Sequence, residues 1–267
     1  MTDFKNENIW LMKGDCLERI KEIPDGSVDM ILTDPPYGTI ACKWDSIIPL
    51  EPMWQELRRI IKPNKAIILF GQEPFCSLVR CSNLSQYKYD WHWRKSRPSG
   101  FTNAKLKPLK DLENIMVFSE GKTANGSKTN MPYFPQGLED CNIEWKRPKN
   151  YTEGDRGVCP ARKNSKTERT ITKKGYPRQI LDFPNPNNGN IHPTQKPVEL
   201  MEYLIKTYTN EGETVLDFTM GSGATIKAAN NLNRKGIGIE MGHCEKKGHK
   251  YEGVHWVDVL VEEMQLV

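Results

Sequence analysis

Asp34-Pro35-Pro36-Tyr37 follows directly on VDMILT (residues 28–33), an apolar run that reads as a buried strand. Open parallel sheets bind ligands beyond the carboxyl ends of their strands, so the tetrapeptide stands where a site is expected. Its residue types suit one task. An exocyclic amine on an aromatic base is a poor nucleophile, because its lone pair is delocalised into the ring. Hydrogen-bond acceptors on both N–H groups hold it closer to tetrahedral. Asp34 offers a carboxylate, and Pro35 offers a main-chain carbonyl on backbone stiffened by two prolines. Tyr37 offers a ring on which an extruded base stacks. The same residues also read as an ordinary proline-rich turn after a strand.

A second string, Leu216-Asp217-Phe218-Thr219-Met220-Gly221-Ser222-Gly223-Ala224-Thr225, reads as a strand, a tight glycine turn and a helix start. Gly221 and Gly223 let backbone pass close to a ligand, and the helix start favours an anionic group. The next strand, GIGIE, ends in Glu240, about twenty residues on, where Rossmann-type sites carry a ribose-binding carboxylate. A plain βα turn and a dinucleotide site are the other readings. Ile226 replaces the third glycine of GxGxxG, which weakens the dinucleotide reading and leaves an adenosyl ligand open. A third string, His192-Pro193-Thr194-Gln195-Lys196-Pro197, reads unaided only as a loop feeding a proline into the first turn of a helix.

These strings need elements to position them. Strands are predicted at Asn8–Met12, Val28–Thr33, Ala66–Phe70, Thr214–Asp217 and Gly236–Glu240. Helices are predicted at Leu50–Ile61, Pro197–Tyr208 and Ala224–Arg234. Both ends of the chain therefore read as α/β. Between them, residues from about 85 to 185 interleave aromatic and basic side chains, then turn Gly/Ser/Asn-rich. Lys88–Lys110 holds seven Lys/Arg against one acid, and Lys146–Arg178 eleven against three, so the basic charge is concentrated although the net charge is only +4. Such a stretch suits phosphates, with Trp91, Trp93 and Phe101 either contacting bases or packing under loops.

In this order, DPPY, a variable basic region, HPTQKP and FTMGSG, together with Gly14-Asp15 and Arg178-Gln179-Ile180-Leu181, the chain resembles the beta-class DNA amino-methyltransferases of adenine N6 and cytosine N4. The resemblance implies a doubly wound Rossmann-like methyltransferase sheet with an inserted DNA-recognition region. Residues 1–84 would form the catalytic half, 85–185 the recognition insert and 186–267 the S-adenosylmethionine-binding half. It implies that Asp34, Pro35, Pro36 and Tyr37 hold the target amine. Asp217, Phe218, Gly221, Ser222, Gly223 and Thr225 would wall the methionine side of S-adenosylmethionine, with Thr194 and Lys196 near that end. Glu240 would bind the ribose, Asp15 the cofactor's adenine, and Arg94, Lys95 and Arg97 the double-stranded DNA. A homodimer and a place in restriction–modification are also implied.

Asp at the first motif position favours adenine N6, with cytosine N4 the alternative. Methylation at cytosine C5 needs a nucleophilic cysteine, typically after a proline, and no Pro-Cys dipeptide is present. A DNA-binding module without catalysis is a further alternative, against which the intact Asp34, Tyr37 and Gly221 argue. His243, Cys244, His249 and His255 match no standard zinc spacing, so no metal is expected. Seven scattered cysteines, no signal-like N-terminal pattern and no long apolar run point to a reduced cytoplasmic setting (a host's, if phage-borne) and away from membranes.

Overall fold

Every residue of Val28–Thr33 is buried, which a strand achieves only where both faces of its sheet are covered. The computed structural model, which describes residues 2–39, 45–146, 168–186 and 195–266, supplies both covers. Along the first half run β1 (Phe4–Lys5), β2 (Ile9–Lys13), α1 (Cys16–Arg19), β3 (Val28–Thr33), α2 (Leu50–Ile60), β4 (Ile61–Gly71), α3 (Phe75–Ser82), β5 (Tyr87–Ser99) and β6 (Lys110–Phe118). Then follow β7 (Glu139–Lys146), β8 (Glu168–Lys174), β9 (Ile180–Phe183), α4 (Val198–Tyr208), β10 (Thr214–Asp217), α5 (Ala224–Asn231), β11 (Lys235–Glu240) and α6 (Trp256–Glu263).

Nine of these strands form one sheet among the described residues, in the order β1-β2-β11-β10-β3-β4-β6-β5-β9. The run from β2 to β4 is parallel, and β6 and β5 extend it antiparallel. From Met30 onward side chains alternate across β3, and a register irregularity between Val28 and Met30 sets Val28 on the face of Ile31. Val28 and Ile31 join Trp54, Leu57, Phe75 and Val79 of α2 and α3. Met30 and Leu32 join Leu200, Leu204 and Ala228 of α4 and α5 on the other face. A smaller cluster seats α6 through Val257 and Leu260 against Ile9, Leu11 and Ile226. The architecture is the expected doubly wound α/β sheet.

The expected element boundaries shift where backbone geometry intervenes. Helix α2 stops at Ile60 because Ile61 is already extended, at ψ 140. Helix α5 stops at Asn231 rather than Arg234, with Asn233 in the left-handed region at φ 57. Neighbouring β3 and β10 run parallel, Val215 opposite Met30 and Leu216 opposite Ile31. Helix α2, which follows β3, and α5, which follows β10, cover opposite faces. That divergence opens a crevice beyond the two carboxyl ends, the place where doubly wound sheets bind ligands.

The chain divides into two compact units, Met1–Phe134 with Gln179–Val267, and Pro135–Arg178. The span 85–185 is therefore divided too. Strands β5, β6 and β9 belong to the large sheet, while β7 and β8 pair antiparallel in the smaller unit. No helix among the described residues is long and apolar enough to cross a membrane.

Candidate active site

A cavity of about 1420 Å³ opens at the crevice between β3 and β10. Asp15, Asp34, Pro35, Pro36, Tyr37, Lys196, Asp217, Phe218, Gly221, Ser222, Thr225 and Glu240 all line it, as do Lys95 and Arg97. Gly223 and Arg94 do not line it, and Thr194 lies outside the described residues.

Asp34 leaves the end of β3 at the centre of a buried ion network. Its Oδ1 accepts from the Tyr37 hydroxyl and its Oδ2 from the Lys196 ammonium. Lys196 Nζ is also 3.0 Å from Glu113 Oε1, and Lys95 Nζ is 2.5 Å from Glu113 Oε2. The two carboxylates differ in their share of positive charge. Burial raises the pKa of both, but Glu113 has two lysines and is held down to about 2. Asp34 has one lysine, which it divides with Glu113; burial raises its carboxyl, the Glu113 charge adds to that, and Lys196 offsets only part of it. Between them, Lys196 is held charged, up to about 12 against the effect of its burial. Burial, with both carboxylates beside it, pushes the Tyr37 phenol well above its ordinary value.

The loop that carries Tyr37 is clamped by Asp45, a residue that no motif in the sequence singles out. Asp45 accepts from the backbone N–H groups of Tyr37, Gly38 and Thr39 at 2.8, 3.0 and 2.7 Å. The Tyr37 ring stacks on Phe75, centroids 5.2 Å apart and 29° between planes. Glu113 was likewise missed. Its signal is alternation along β6: Ile115 and Val117 face the α4 side, and Glu113, two residues before Ile115, shares that inward face.

On the β10 side, Asp217 accepts from the Thr33 hydroxyl at 2.7 Å and from Thr219 N–H at 3.2 Å. Burial pushes its carboxyl up to about 6, against hydrogen bonds from Thr225 and Thr33. Glu240 fastens the glycine turn: Oε2 accepts from Gly221 N–H at 2.8 Å, and Oε1 from Met241 and Gly242 N–H at 3.0 and 2.7 Å. Gly221 takes φ 51. Gly223 takes φ 79, and a Cβ there would clash with the Leu260 side chain of α6, so this glycine makes room for a helix. Asp15 caps α1 by accepting from Leu17 N–H at 2.9 Å and Glu18 N–H at 3.3 Å. Gln195 Oε1, buried beside Lys196, has no hydrogen-bond partner among the described residues.

The basic trio expected at DNA is dispersed. Lys95 is drawn inward to Glu113 with its side chain 14% exposed. Arg94 projects outward and grips Asp182 through Nε and Nη2 at 2.5 and 2.9 Å. Trp91 and Trp93 pack in the core over α4, their indole N–H groups donating to the Tyr208 hydroxyl and the Phe183 carbonyl, while Phe101 is exposed.

Known proteins resemble this chain in sequence and in fold. The N6/N4 DNA methylase family profile matches residues 28–248. DNA adenine methyltransferase YhdJ of Escherichia coli (strain K12) is 28% identical over 255 residues, covering 90% of this chain and 81% of that protein. Type II methyltransferase M.HpaI of Haemophilus parainfluenzae is 27% identical over 251 residues, covering 86% and 69%. The solved M1.HpyAVI–SAM complex superposes with a TM-score of 0.59 at 24% identity, over 96% of this chain and 98% of that one. PvuII DNA methyltransferase (cytosine-N4-specific) gives 0.59 at 15% identity, over 89% and 83%. Both solved structures share the fold. With a profile match over most of its length on this doubly wound sheet, the chain belongs to the N6/N4 DNA methylase family.

Proposed function

We propose that the chain transfers a methyl group from S-adenosylmethionine to adenine N6 in double-stranded DNA, directly and without a covalent intermediate, on a base turned out of the helix. One observation carries the reading: Asp34 and the glycine turn after β10 line the same cavity, an amine-holding carboxylate facing a ligand-sized space. The residues present fit the cofactor. Gln195 Oε1 is a buried acceptor in need of an N–H donor, as an amino-acid ammonium supplies, and Gly221 brings bare backbone to the cavity wall. Asp217, Phe218, Gly221, Ser222, Thr225 and Lys196 would hold the methionine side, Glu240 the ribose and Asp15 the adenine, with Thr194 in support.

When bound, S-adenosylmethionine supplies an electrophilic methyl group on a sulfonium. The chain supplies everything else. Asp34 and the Pro35 carbonyl accept hydrogen bonds from the two amine hydrogens, Pro36 keeps that carbonyl rigid, and Tyr37, backed by Phe75, offers its ring to the base. Adenine is favoured by Asp34 at the first motif position and by the name of the E. coli relative. The basic residues of 85–185 read the DNA, and a homodimer belongs to the same reading.

Mass spectrometry of nucleosides, after incubation with unmethylated DNA and S-adenosylmethionine, tests it. N6-methyladenine is expected. N4-methylcytosine would keep the mechanism and change the base, whereas 5-methylcytosine or no product would overturn the reading.

A further inference from the structure

Both carboxylate oxygens of Asp34 are already engaged, Oδ1 by the Tyr37 hydroxyl and Oδ2 by the Lys196 ammonium. A target amine must therefore compete with two strong donors, one of them charge-assisted. Turning Asp34 over to the amine would strand Lys196, whose side chain is only 7% exposed, and a buried unpaired charge is strongly unfavourable. Glu113 offers an alternative partner. Its Oε1 is 3.0 Å from Lys196 Nζ and 3.1 Å from the Tyr37 hydroxyl, so one oxygen stands beside both donors that occupy Asp34. Its Oε2 is fixed by Lys95 Nζ at 2.5 Å.

We propose that Glu113 is a positioning residue: when the base arrives, Glu113 Oε1 takes over Lys196 and the Tyr37 hydroxyl, freeing Asp34 for the amine. This rests on the methyl-transfer reading above and adds a residue which that reading does not use. The exchange moves no net charge, since two carboxylates and two ammonium groups make a balanced cluster. Little displacement is needed, and the rings of Phe70 and Trp93, each 5.2 Å from the Nζ of Lys196 and Lys95 respectively, keep the lysines lodged. Among the described residues, the charged and titratable groups around Asp34 are Tyr37 on its own loop, Lys196 ahead of α4, Glu113 on β6 with Lys95 of β5 behind it, and Asp217 at the end of β10.

Two variants shift this balance in opposite directions. Glu113→Gln keeps the shape and removes the charge, leaving Lys196 wholly to Asp34. Turnover is expected to fall about a hundredfold, with KM for DNA and S-adenosylmethionine affinity nearly unchanged. The acidic limb of the kcat profile should move to lower pH, because a lost negative neighbour and an undivided lysine both favour ionised Asp34. Lys95→Met instead leaves Glu113 free to draw Lys196 away, so the acidic limb should move to higher pH. That second variant carries the test if the first does not fold. Limbs that stay put, or that move the same way in both variants, would overturn the role of Glu113 while the wild type still methylates DNA. A wild-type chain that methylates nothing would overturn the parent reading as well.

Discussion

A carboxylate that accepts a stronger hydrogen bond as an amine becomes tetrahedral stabilises the transition state more than the ground state. On the proposed reading Asp34 is such a group, and its removal should act on turnover. Asp34→Ala should lower kcat by about 10²–10³-fold or more, with S-adenosylmethionine affinity retained in calorimetry. Asn keeps one acceptor oxygen and loses the charge, so it should fall between the two. Breaking a buried ion pair typically costs about 3–5 kcal/mol, but Lys196 keeps Glu113 at 3.0 Å, so denaturant titration of Asp34→Ala should show a smaller loss. Full activity in the alanine variant would end the mechanism. At this scale the sequence was informative only where residues adjoin: Asp34 and Tyr37 are three apart, whereas Glu113 and Lys196 reach them from β6 and the start of α4.

At the scale of elements, Gly223 illustrates how a residue is recognised for the wrong reason. Glycine in a βα turn suggests close approach of a ligand, yet the space beside this one is filled by Leu260 of α6. Gly223→Ala should destabilise the fold through the left-handed backbone, about 1–2 kcal/mol, and through the clash with Leu260. Leu260→Ala should also destabilise, since Leu260 is fully buried. The double variant should lose less than the two singles together, by about 0.5–3 kcal/mol of coupling. Strict additivity in denaturant titrations would show that the helix does not fill that space. The central strands β3 and β10 were legible to the residue, because an apolar run ending in a turn signal has few other readings. Strand β5 was not. YKYDWHWRK alternates, but which side faces inward depends on α4, more than a hundred residues later in the chain. Once α4 covers it, Trp91, Trp93 and Lys95 point inward: of the two readings open for the tryptophans, packing holds, and Lys95 joins the ion network.

For the whole molecule, 38 basic residues against 34 acidic leave a net charge of only +4, so attraction to DNA must come from how the charge is distributed. The structure narrows the candidates. Lys95 pairs with Glu113 and Arg94 with Asp182, and Arg97, Lys107 and Lys110 share the cavity wall with Lys95. If the target base enters that cavity, these three stand on its wall, within reach of the phosphates flanking it. Each phosphate neutralised contributes about 0.9 to the slope of log K against log salt. Changing all three to Gln should therefore weaken DNA binding and lower that slope by about 2.7, while leaving S-adenosylmethionine affinity in place. Arg94→Gln should lower the slope less than the triple variant, because Arg94 lies off the cavity wall and Asp182 holds its guanidinium. Fluorescence anisotropy on a short duplex across a salt series reads both effects. A slope unchanged in the triple variant would move the electrostatic contact away from the cavity wall and onto the other basic stretch, Lys146–Arg178.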